Sequence, residues 1–321
     1  MILRVAVIDD WLGVAEQSTD WAALNGIAEI TVFSAPLGST DAAAEGLKSF
    51  DIILPMRERQ SFGRTLLERL PDLKMLALTG FHAPHVDLEY CRERGITVCG
   101  SGRYSPAATA ELTLGLILAS SRAIPAADQS IRAGRFQAGL PLGQVLEGRR
   151  LGIVGLGKIG TRVAHFGRAL GMDVVAWSPN LTVLRGTECG AARVEKEELF
   201  QTSDVVSIHL IYAASTHHIV GAEEIKAMQP GALLVNTARA ALVDGDALRR
   251  ALSAGHIRAA LDVFEVEPTS ANDPIIVAPN TVLTPHLGFS AAPGFPLFYS
   301  QSIENIVAFA SGAPIRLFPA P

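Results

Sequence analysis

The chain has 321 residues, of which 49% are hydrophobic and 18% are charged, and its formal net charge is −5. This length predicts roughly two domains, and the composition is that of a compact globular protein, which excludes a disordered chain. The acidic balance argues against general binding to nucleic acid or to anionic membranes. A small anionic substrate would therefore require a locally basic pocket.

The sequence has neither the pattern of a targeting signal nor that of a membrane span. An apolar strand begins at Ile2, and the longest apolar stretch, 112–119, is shorter than the ~20 residues that cross a bilayer. The cysteines Cys91, Cys99 and Cys189 have neither metal-ligand spacing nor an even number for disulfides. We therefore expect a cytoplasmic protein without a bound metal and without a membrane or nucleic-acid partner.

The first third alternates β-branched runs with helical patterns, which is typical of a parallel sheet with crossover helices. A flavodoxin-like domain is the architecture that this alternation favours. A helix follows from Ser105 to about Arg122 and is apolar nearly all round, so we expect it to be buried on several sides. The five strands predicted in this third are Val5–Asp9, Glu29–Ser34, Asp51–Pro55, Lys74–Thr79 and Ile96–Gly100.

A second series of six strands with intervening helices has the number of strands expected of a full dinucleotide-binding fold of the Rossmann type. After it, residues 296–310 have the pattern of one more amphipathic helix. The six predicted strands of this series are Leu151–Gly155, Asp173–Trp177, Val205–Leu210, Ala232–Thr237, Arg258–Phe264 and Thr281–Thr284.

Three glycines, Gly155, Gly157 and Gly160, have G-x-G-x-x-G spacing between a predicted strand and a predicted helix. In this context the first glycine permits a tight turn, the second lets a pyrophosphate approach the backbone, and the third lets helix and strand pack closely. The N–H groups at the start of the helix, including those of Lys158 and Ile159, suit the phosphates. A glycine turn without a ligand is the alternative interpretation.

The next strand leads into Ser178-Pro179-Asn180, where an acidic residue would bind the adenosine ribose and repel a 2′-phosphate. Ser178 and Asn180 have hydrogen-bonding groups for a ribose but carry no charge that would repel a phosphate. We therefore expect NAD as the cofactor and leave NADP open. His209 and Thr237, at the ends of later strands, are also assigned to the cofactor site.

Arg239, Glu267 and His286 follow the last three predicted strands. Because the carboxyl ends of parallel strands meet at one edge of a sheet, these side chains are expected to converge there. The three residue types suit the oxidation of a 2-hydroxy acid. This reaction needs a base for the hydroxyl proton, and histidine is suited to this role near neutral pH. A carboxylate favours the protonated imidazole, and an arginine binds a substrate carboxylate in two-point geometry.

These motifs resemble the D-isomer-specific 2-hydroxyacid dehydrogenase family over essentially the whole chain. The resemblance implies that Arg239 orients the substrate, that His286 is the acid/base and that Glu267 supports it. It also implies that Asp262 lies near the nicotinamide and that Thr79 and Gly80 bind the substrate carboxylate through backbone N–H groups. The motifs that carry it are Gly152-Ile-Val-Gly-Leu-Gly-Lys-Ile-Gly160, Val235-Asn-Thr-Ala-Arg239, Ala260-Leu-Asp-Val-Phe-Glu-Val-Glu-Pro268 and Leu283-Thr-Pro-His-Leu-Gly288.

The resemblance further implies a homodimer and a discontinuous substrate domain, 1–101 with 290–321, around a dinucleotide-binding domain, 102–289. Two departures concern the substrate: Ala240 replaces a glycine that is common in the family, and His82 and His85 lie in an unusual loop. The leading function is hydride transfer between NAD(P) and C2 of a D-2-hydroxy acid or 2-keto acid. The alternative is an NAD(H)-sensing, corepressor-like module without significant turnover.

Overall fold

In the computed structural model, which describes residues 2–102, 105–292 and 294–318, the chain forms two compact units. The discontinuous unit combines Met1–Tyr104 with Ser290–Pro321, and the continuous unit is Ser105–Phe289. Of the predicted domain residues, positions 1, 103–104, 293 and 319–321 lie outside the described ones.

The discontinuous unit is built on a parallel five-stranded sheet with the order β2-β1-β3-β4-β5. All residues of β3 and β4 are buried, because both faces of a parallel sheet are covered by other elements. The segment 316–318 covers the outer edge of β5, since the Gly100 N–H donates to Arg316 O and the Phe318 N–H donates to Val98 O, both at 2.9 Å. The strands are β1 (Leu3–Ile8), β2 (Ala28–Val32), β3 (Ile52–Pro55), β4 (Met75–Thr79) and β5 (Thr97–Ser101).

The continuous unit contains a parallel sheet of seven strands, β12-β11-β10-β9-β6-β7-β8. The strand order reverses between β6 and β9, which is the position where such folds bind a ligand. The predicted count of six was wrong, because the two-residue β8 is too short to produce a sequence pattern. The strands are β6 (Arg150–Val154), β7 (Asp173–Trp177), β8 (Ala192–Arg193), β9 (Val205–Ile208), β10 (Leu233–Asn236), β11 (Arg258–Leu261) and β12 (Thr281–Leu283).

Helices cover both faces of this sheet, and neighbouring strand residues therefore point into different apolar clusters. Ile153 and Val154 are both fully buried, one in each cluster. The helices of the two units are α1 (Ala15–Ser18), α2 (Thr40–Leu47), α3 (Arg64–Leu67), α4 (Leu88–Glu93), α5 (Pro106–Ser121), α6 (Ile124–Arg132), α7 (Lys158–Ala169), α8 (Val183–Glu188), α9 (Lys196–Thr202), α10 (Ala222–Ala227), α11 (Gly245–Ser253) and α12 (Gly294–Ala310), with 3-10 turns at Trp21–Leu24, Ala214–Thr216 and Ala240–Leu242.

Helix α5 is the apolar helix that the sequence predicts, and it lies in the continuous unit against α7 and β10. Ser105 caps it by accepting a hydrogen bond from the Ala107 N–H, and Pro106 occupies the first turn. Within the described part of the chain no single helix is long and apolar enough to cross a membrane, although α5 and α6, bent by 63°, pass that test as a pair.

Candidate active site

The turn between β6 and α7 requires glycine at two of the three predicted positions. Gly155 has a φ of 102°, and a Cβ on it would lie 2.8 Å from the backbone nitrogen of Leu210. A Cβ on Gly160 would collide with the carbonyl oxygen of Gly155, so the absence of a side chain lets α7 approach β6. Both glycines are therefore needed to form the turn itself.

Gly157 differs from the other two, because a Cβ built on it meets no atom within 4 Å. It is the N-cap of α7 and provides no side-chain cap, so the first N–H groups of the helix, at Lys158 and Ile159, have no side-chain acceptor at the cap. The first N–H groups of a helix have no acceptor within the helix, and the open space at Gly157 lies at this positive helix end. Both features fit a pyrophosphate. The turn therefore fits a dinucleotide.

The end of β7 lies beside this turn, since the Gly155 N–H donates to Trp177 O at 2.8 Å. Ser178 is half-buried and Asn180 is exposed directly after this strand. Arg185, the nearest following arginine in the chain, pairs with Glu188 at 3.6 Å. The segment that follows the glycine turn's neighbour β7 thus has two neutral hydrogen-bonding side chains, and their contact with a ribose stays a prediction.

His209 and Thr237 follow β9 and β10, as the sequence predicts, but their side chains already have partners within the unit. Ser207 Oγ lies 2.8 Å from His209 Nε2, and burial lowers the pKa of His209 to about 3, so its imidazole is neutral. Thr237 Oγ1 lies 2.9 Å from Thr113 Oγ1 on α5. Contact of either residue with the cofactor stays a prediction.

The structure brings Glu267 and His286 into direct contact: His286 Nδ1 lies 2.5 Å from Glu267 Oε2. The other carboxylate oxygen of Glu267 accepts the Phe264 N–H at 2.9 Å. Burial acts to raise the pKa of Glu267, but the hydrogen bond and charge of His286, the Phe264 N–H and the charge of Arg239 outweigh it and lower that pKa. Glu267 is therefore an anion held against the imidazole.

Arg239 lies three residues beyond β10, in a turn that Asn236 holds from both sides. The Asn236 side chain donates to Arg239 O at 2.9 Å and accepts the Ala238 N–H at 3.0 Å. Arg239 Nη1 donates to Ala238 O at 2.7 Å. The charge of Arg239 lowers the pKa of Glu267, so the two side chains are near each other. The three predicted catalytic residues therefore lie at one edge of the sheet.

Asp262 is fully buried and holds the segment that carries His286. Its carboxylate accepts the Thr284 hydroxyl at 2.6 Å and the backbone N–H groups of Leu287 and Gly288 at 2.7 Å. Burial raises the pKa of Asp262, and these three hydrogen bonds oppose that effect. His286 has a φ of 53°, which is rare for a residue with a side chain, so its backbone position depends on this support.

In the discontinuous unit, Thr79 ends β4 and is buried, and its hydroxyl donates to Pro55 O at 3.0 Å. Arg57 lies beside this predicted substrate segment: its N–H donates to Thr79 Oγ1 at 2.6 Å and its Nη1 donates to Thr79 O at 2.9 Å. A Cβ on Gly80 would lie 2.6 Å from the Arg57 guanidinium, so glycine lets that cation approach the backbone. This unit therefore provides a cation that the sequence prediction omitted.

Three residues described above were missed by the sequence prediction: Asn236, Thr113 and Arg57. Asn236 lies within a motif that was recognised, and its place directly before a turn is a usual signal for a side chain that braces the backbone. Arg57 follows a buried strand end, where the sheet-edge rule applies as it does to Arg239. Thr113 lies within an apolar helix and has no such signal.

Among residues 2–102, 105–292 and 294–318 there is no group of three His, Cys, Asp or Glu side chains that could hold a metal ion. His217 and His218 stack on each other with ring centroids 3.9 Å apart, and both are exposed.

Comparisons with known proteins show the family and the fold of the chain. Residues 114–288 match the model of the D-isomer specific 2-hydroxyacid dehydrogenase NAD binding domain. The glyoxylate reductase of Aeropyrum pernix is 39% identical over 255 residues, which cover 77% of this chain and 76% of the relative. A phosphoglycerate oxidoreductase from Vibrio cholerae superposes with a TM-score of 0.92 at 37% identity, covering 97% of this chain and 100% of the other.

A D-lactate dehydrogenase from Aquifex aeolicus, solved with NAD and lactic acid, superposes with a TM-score of 0.75 at 27% identity, covering 96% of each chain. The fold and the glycine turn thus define an NAD-dependent oxidoreductase with a Rossmann domain. The chain belongs to the D-isomer specific 2-hydroxyacid dehydrogenase family. None of the comparisons supports the alternative of a corepressor-like NAD(H) sensor.

Proposed function

We propose that the protein interconverts small 2-keto acids and D-2-hydroxy acids, with Arg239, Glu267 and His286 as its catalytic residues. The observation that carries the proposal is the 2.5 Å contact between Glu267 and His286 beside Arg239. Glyoxylate is the first substrate to examine, because a relative 39% identical is named a glyoxylate reductase. The glycine turn at Gly155, Gly157 and Gly160 would hold NAD, and Ser178 and Asn180 would contact its ribose.

The roles follow from the contacts. NAD(H), when bound, supplies or accepts the hydride at C2 of the substrate. Because Nδ1 of His286 is bonded to Glu267, the other ring nitrogen, Nε2, is the one that can give a proton to the ketone oxygen or take it from the hydroxyl. The His286 side chain is 29% exposed, so a substrate can reach it. Glu267 stabilises the imidazolium that forms during oxidation.

Arg239 would bind the substrate carboxylate and polarise the reacting oxygen with its planar guanidinium. In the discontinuous unit, the Thr79–Gly80 segment stays a predicted carboxylate-binding segment, and the Arg57 guanidinium lies beside it. These roles share one requirement, which is an anionic substrate. We therefore expect uncharged ketones and aldehydes of similar size to be poor substrates.

The test is a panel of glyoxylate, hydroxypyruvate, pyruvate and bulkier 2-keto acids, each with NADH and with NADPH, followed by nicotinamide absorbance. We expect turnover on at least one keto acid and faster turnover with NADH. The methyl ester of the best acid is the matched control, because it keeps the reacting carbonyl group and removes the charge. Background rates on every acid would contradict the proposed function.

A homodimer is part of the proposal, supported by an exposed apolar surface on α6 and the segment after it. Phe136 is 67% exposed and Leu142 is 98% exposed, and exposed apolar side chains that group together mark interaction surfaces. The segment is held in place, since Arg258 donates to Gln144 Oε1 and the Gln144 N–H donates to Ser121 O, both at 2.7 Å. The members of this surface are Ile124, Ile131, Phe136, Leu142 and Val145.

The double variant Phe136→Asp, Leu142→Asp should therefore be a monomer with an unchanged circular dichroism spectrum. Light scattering after size exclusion measures the mass. Val277→Asp, which places a charge on a similarly exposed side chain at 73%, is the control and should keep the wild-type mass. If wild type and double variant have the same mass, this surface is not the interface.

The three cysteines are free and buried, which supports the proposed cytoplasmic location.

A further inference from the structure

Helix α5 is joined to the edge of the sheet by a continuous series of buried hydrogen bonds. The Thr113 hydroxyl contacts Thr237 Oγ1 at 2.9 Å and donates to Thr109 O at 2.8 Å. The Thr109 hydroxyl donates to Gly288 O at 2.8 Å, and the Gly288 N–H donates to Asp262 at 2.7 Å. The four side chains of this series are at most 7% exposed.

The direction of the first bond follows from the number of protons. A hydroxyl has one proton, and a carbonyl oxygen has none to give. Because Thr113 gives its proton to Thr109 O, the Thr237 hydroxyl must be the donor in the bond between the two threonines. Thr237 is then left with acceptor lone pairs alone for any further partner, so α5 determines which hydrogen-bonding group of a cofactor it can meet.

The second branch reaches the segment of His286. Gly288 lies two residues after His286, and its carbonyl and its N–H are bonded to Thr109 and Asp262 respectively. A Cβ on Gly288 would lie 3.0 Å from Asp262 Oδ2 and 3.3 Å from Thr109 Oγ1, so the fit is tight. The unusual backbone angle of His286 is therefore maintained from both sides, by Asp262 and by Thr109.

We propose that Thr109 and Thr113 are positioning residues for the dehydrogenase reaction. Thr113 orients the Thr237 hydroxyl so that it accepts a hydrogen bond from the cofactor, and Thr109 fixes the segment that carries His286. The proposal rests on the proposed function of the Arg239, Glu267 and His286 site. It separates two effects, since Thr113 acts on cofactor affinity and Thr109 acts on the chemical step.

The test uses valine, which has the shape of threonine without the hydroxyl. Thr113→Val should raise the Kd of NADH, measured by fluorescence titration, about tenfold and change kcat little, because a buried hydroxyl loses its acceptor. Thr109→Val should lower kcat about tenfold and leave the NADH Kd within about twofold. Thr113→Ser and Thr109→Ser keep the hydroxyl and should recover most of the wild-type values.

Thr187→Val is the matched control, because it removes an exposed helical hydroxyl that donates to the carbonyl four residues earlier, at Val183. Thr237→Val breaks the first bond from the other side, so it should weaken NADH binding as much as Thr113→Val. The double variant Thr113→Val, Thr237→Val should then be no weaker than either single one.

Valine variants that behave like Thr187→Val, or serine variants as impaired as the valine ones, would overturn the proposal. The same holds if only the melting temperature changes. A wild-type protein that turns over no 2-keto acid contradicts the proposed function instead, and the NADH Kd then still tests Thr113 and Thr237. The two failures are therefore distinguishable.

Discussion

His286→Ala should lose between about two and four orders of magnitude in kcat, which is the usual contribution of a positioned acid/base. The loss follows because His286 exchanges the proton through Nε2, the ring nitrogen that does not contact Glu267. Among the described residues, no other imidazole forms a hydrogen bond with the Glu267 carboxylate and could replace it. The measurement is steady-state reduction of the best keto acid. The NADH Kd should stay near its wild-type value, since the glycine turn is untouched.

Two further variants make this result interpretable. His286→Asn keeps a residue that tolerates the positive φ of 53°, so it should fold and still be as inactive as alanine. His165→Ala removes an exposed histidine of α7 and should be fully active. A His286→Ala enzyme with kcat within threefold of wild type would show that the acid/base is another group.

Glu267→Gln should lower kcat by about two orders of magnitude and change its pH dependence. Both oxygens of Glu267 accept hydrogen bonds, from Phe264 N–H and from His286, and an amide has a single acceptor oxygen. One of the two donors therefore faces an NH2 group in the variant. Because the contact between the carboxylate and the imidazole is lost as well, the pH profile of the reduction rate should differ from that of wild type.

Stability gives an independent measurement on the same variant. The pKa of Glu267 is lowered from its ordinary value of 4.5, so its charged form stabilises the fold above that pH and the contribution is lost as the pH falls through the lower, folded value. The difference in Tm between wild type and Glu267→Gln should therefore shrink in acid.

Glu265→Gln, two residues earlier, changes an exposed carboxylate and is the matched control for both measurements. It should keep the wild-type kcat and the wild-type pH profile. If Glu267→Gln has the same pH profile as this control, the contact between Glu267 and His286 has no part in proton transfer.

The sequence predicts the sheets well because long apolar runs decide them. The strand Asp173–Trp177 has the predicted bounds, and the residues after β10, β11 and β12 lie at one edge as expected. The sheet-edge rule needs no side-chain detail, which is why Arg239, Glu267 and His286 could be named from their spacing alone. The helix α6 and the strand β8 were not predicted, since short elements depend on their neighbours more than on local pattern.

The internal connections of the site were beyond the sequence. An aspartate at position 262 could contact a cofactor or hold a backbone segment, and the sequence does not distinguish the two roles. The three hydrogen bonds that Asp262 accepts show that it holds the backbone segment. The positive φ of His286 likewise results from contacts made elsewhere, not from the residue itself. The position of Arg57 after a strand end could be seen in the sequence, but its contact with Thr79, more than twenty positions away, could not.

The discontinuous unit has a consequence for synthesis of the chain. Its sheet is encoded in the first 101 residues, but the edge of β5 is covered by residues 316–318. During translation β5 is therefore an open strand edge until the continuous unit has been made, and unpaired edges invite association with other chains. We expect nascent chains that stop after Phe289 to contain a folded Rossmann unit joined to a sheet that needs protection, for instance by a chaperone.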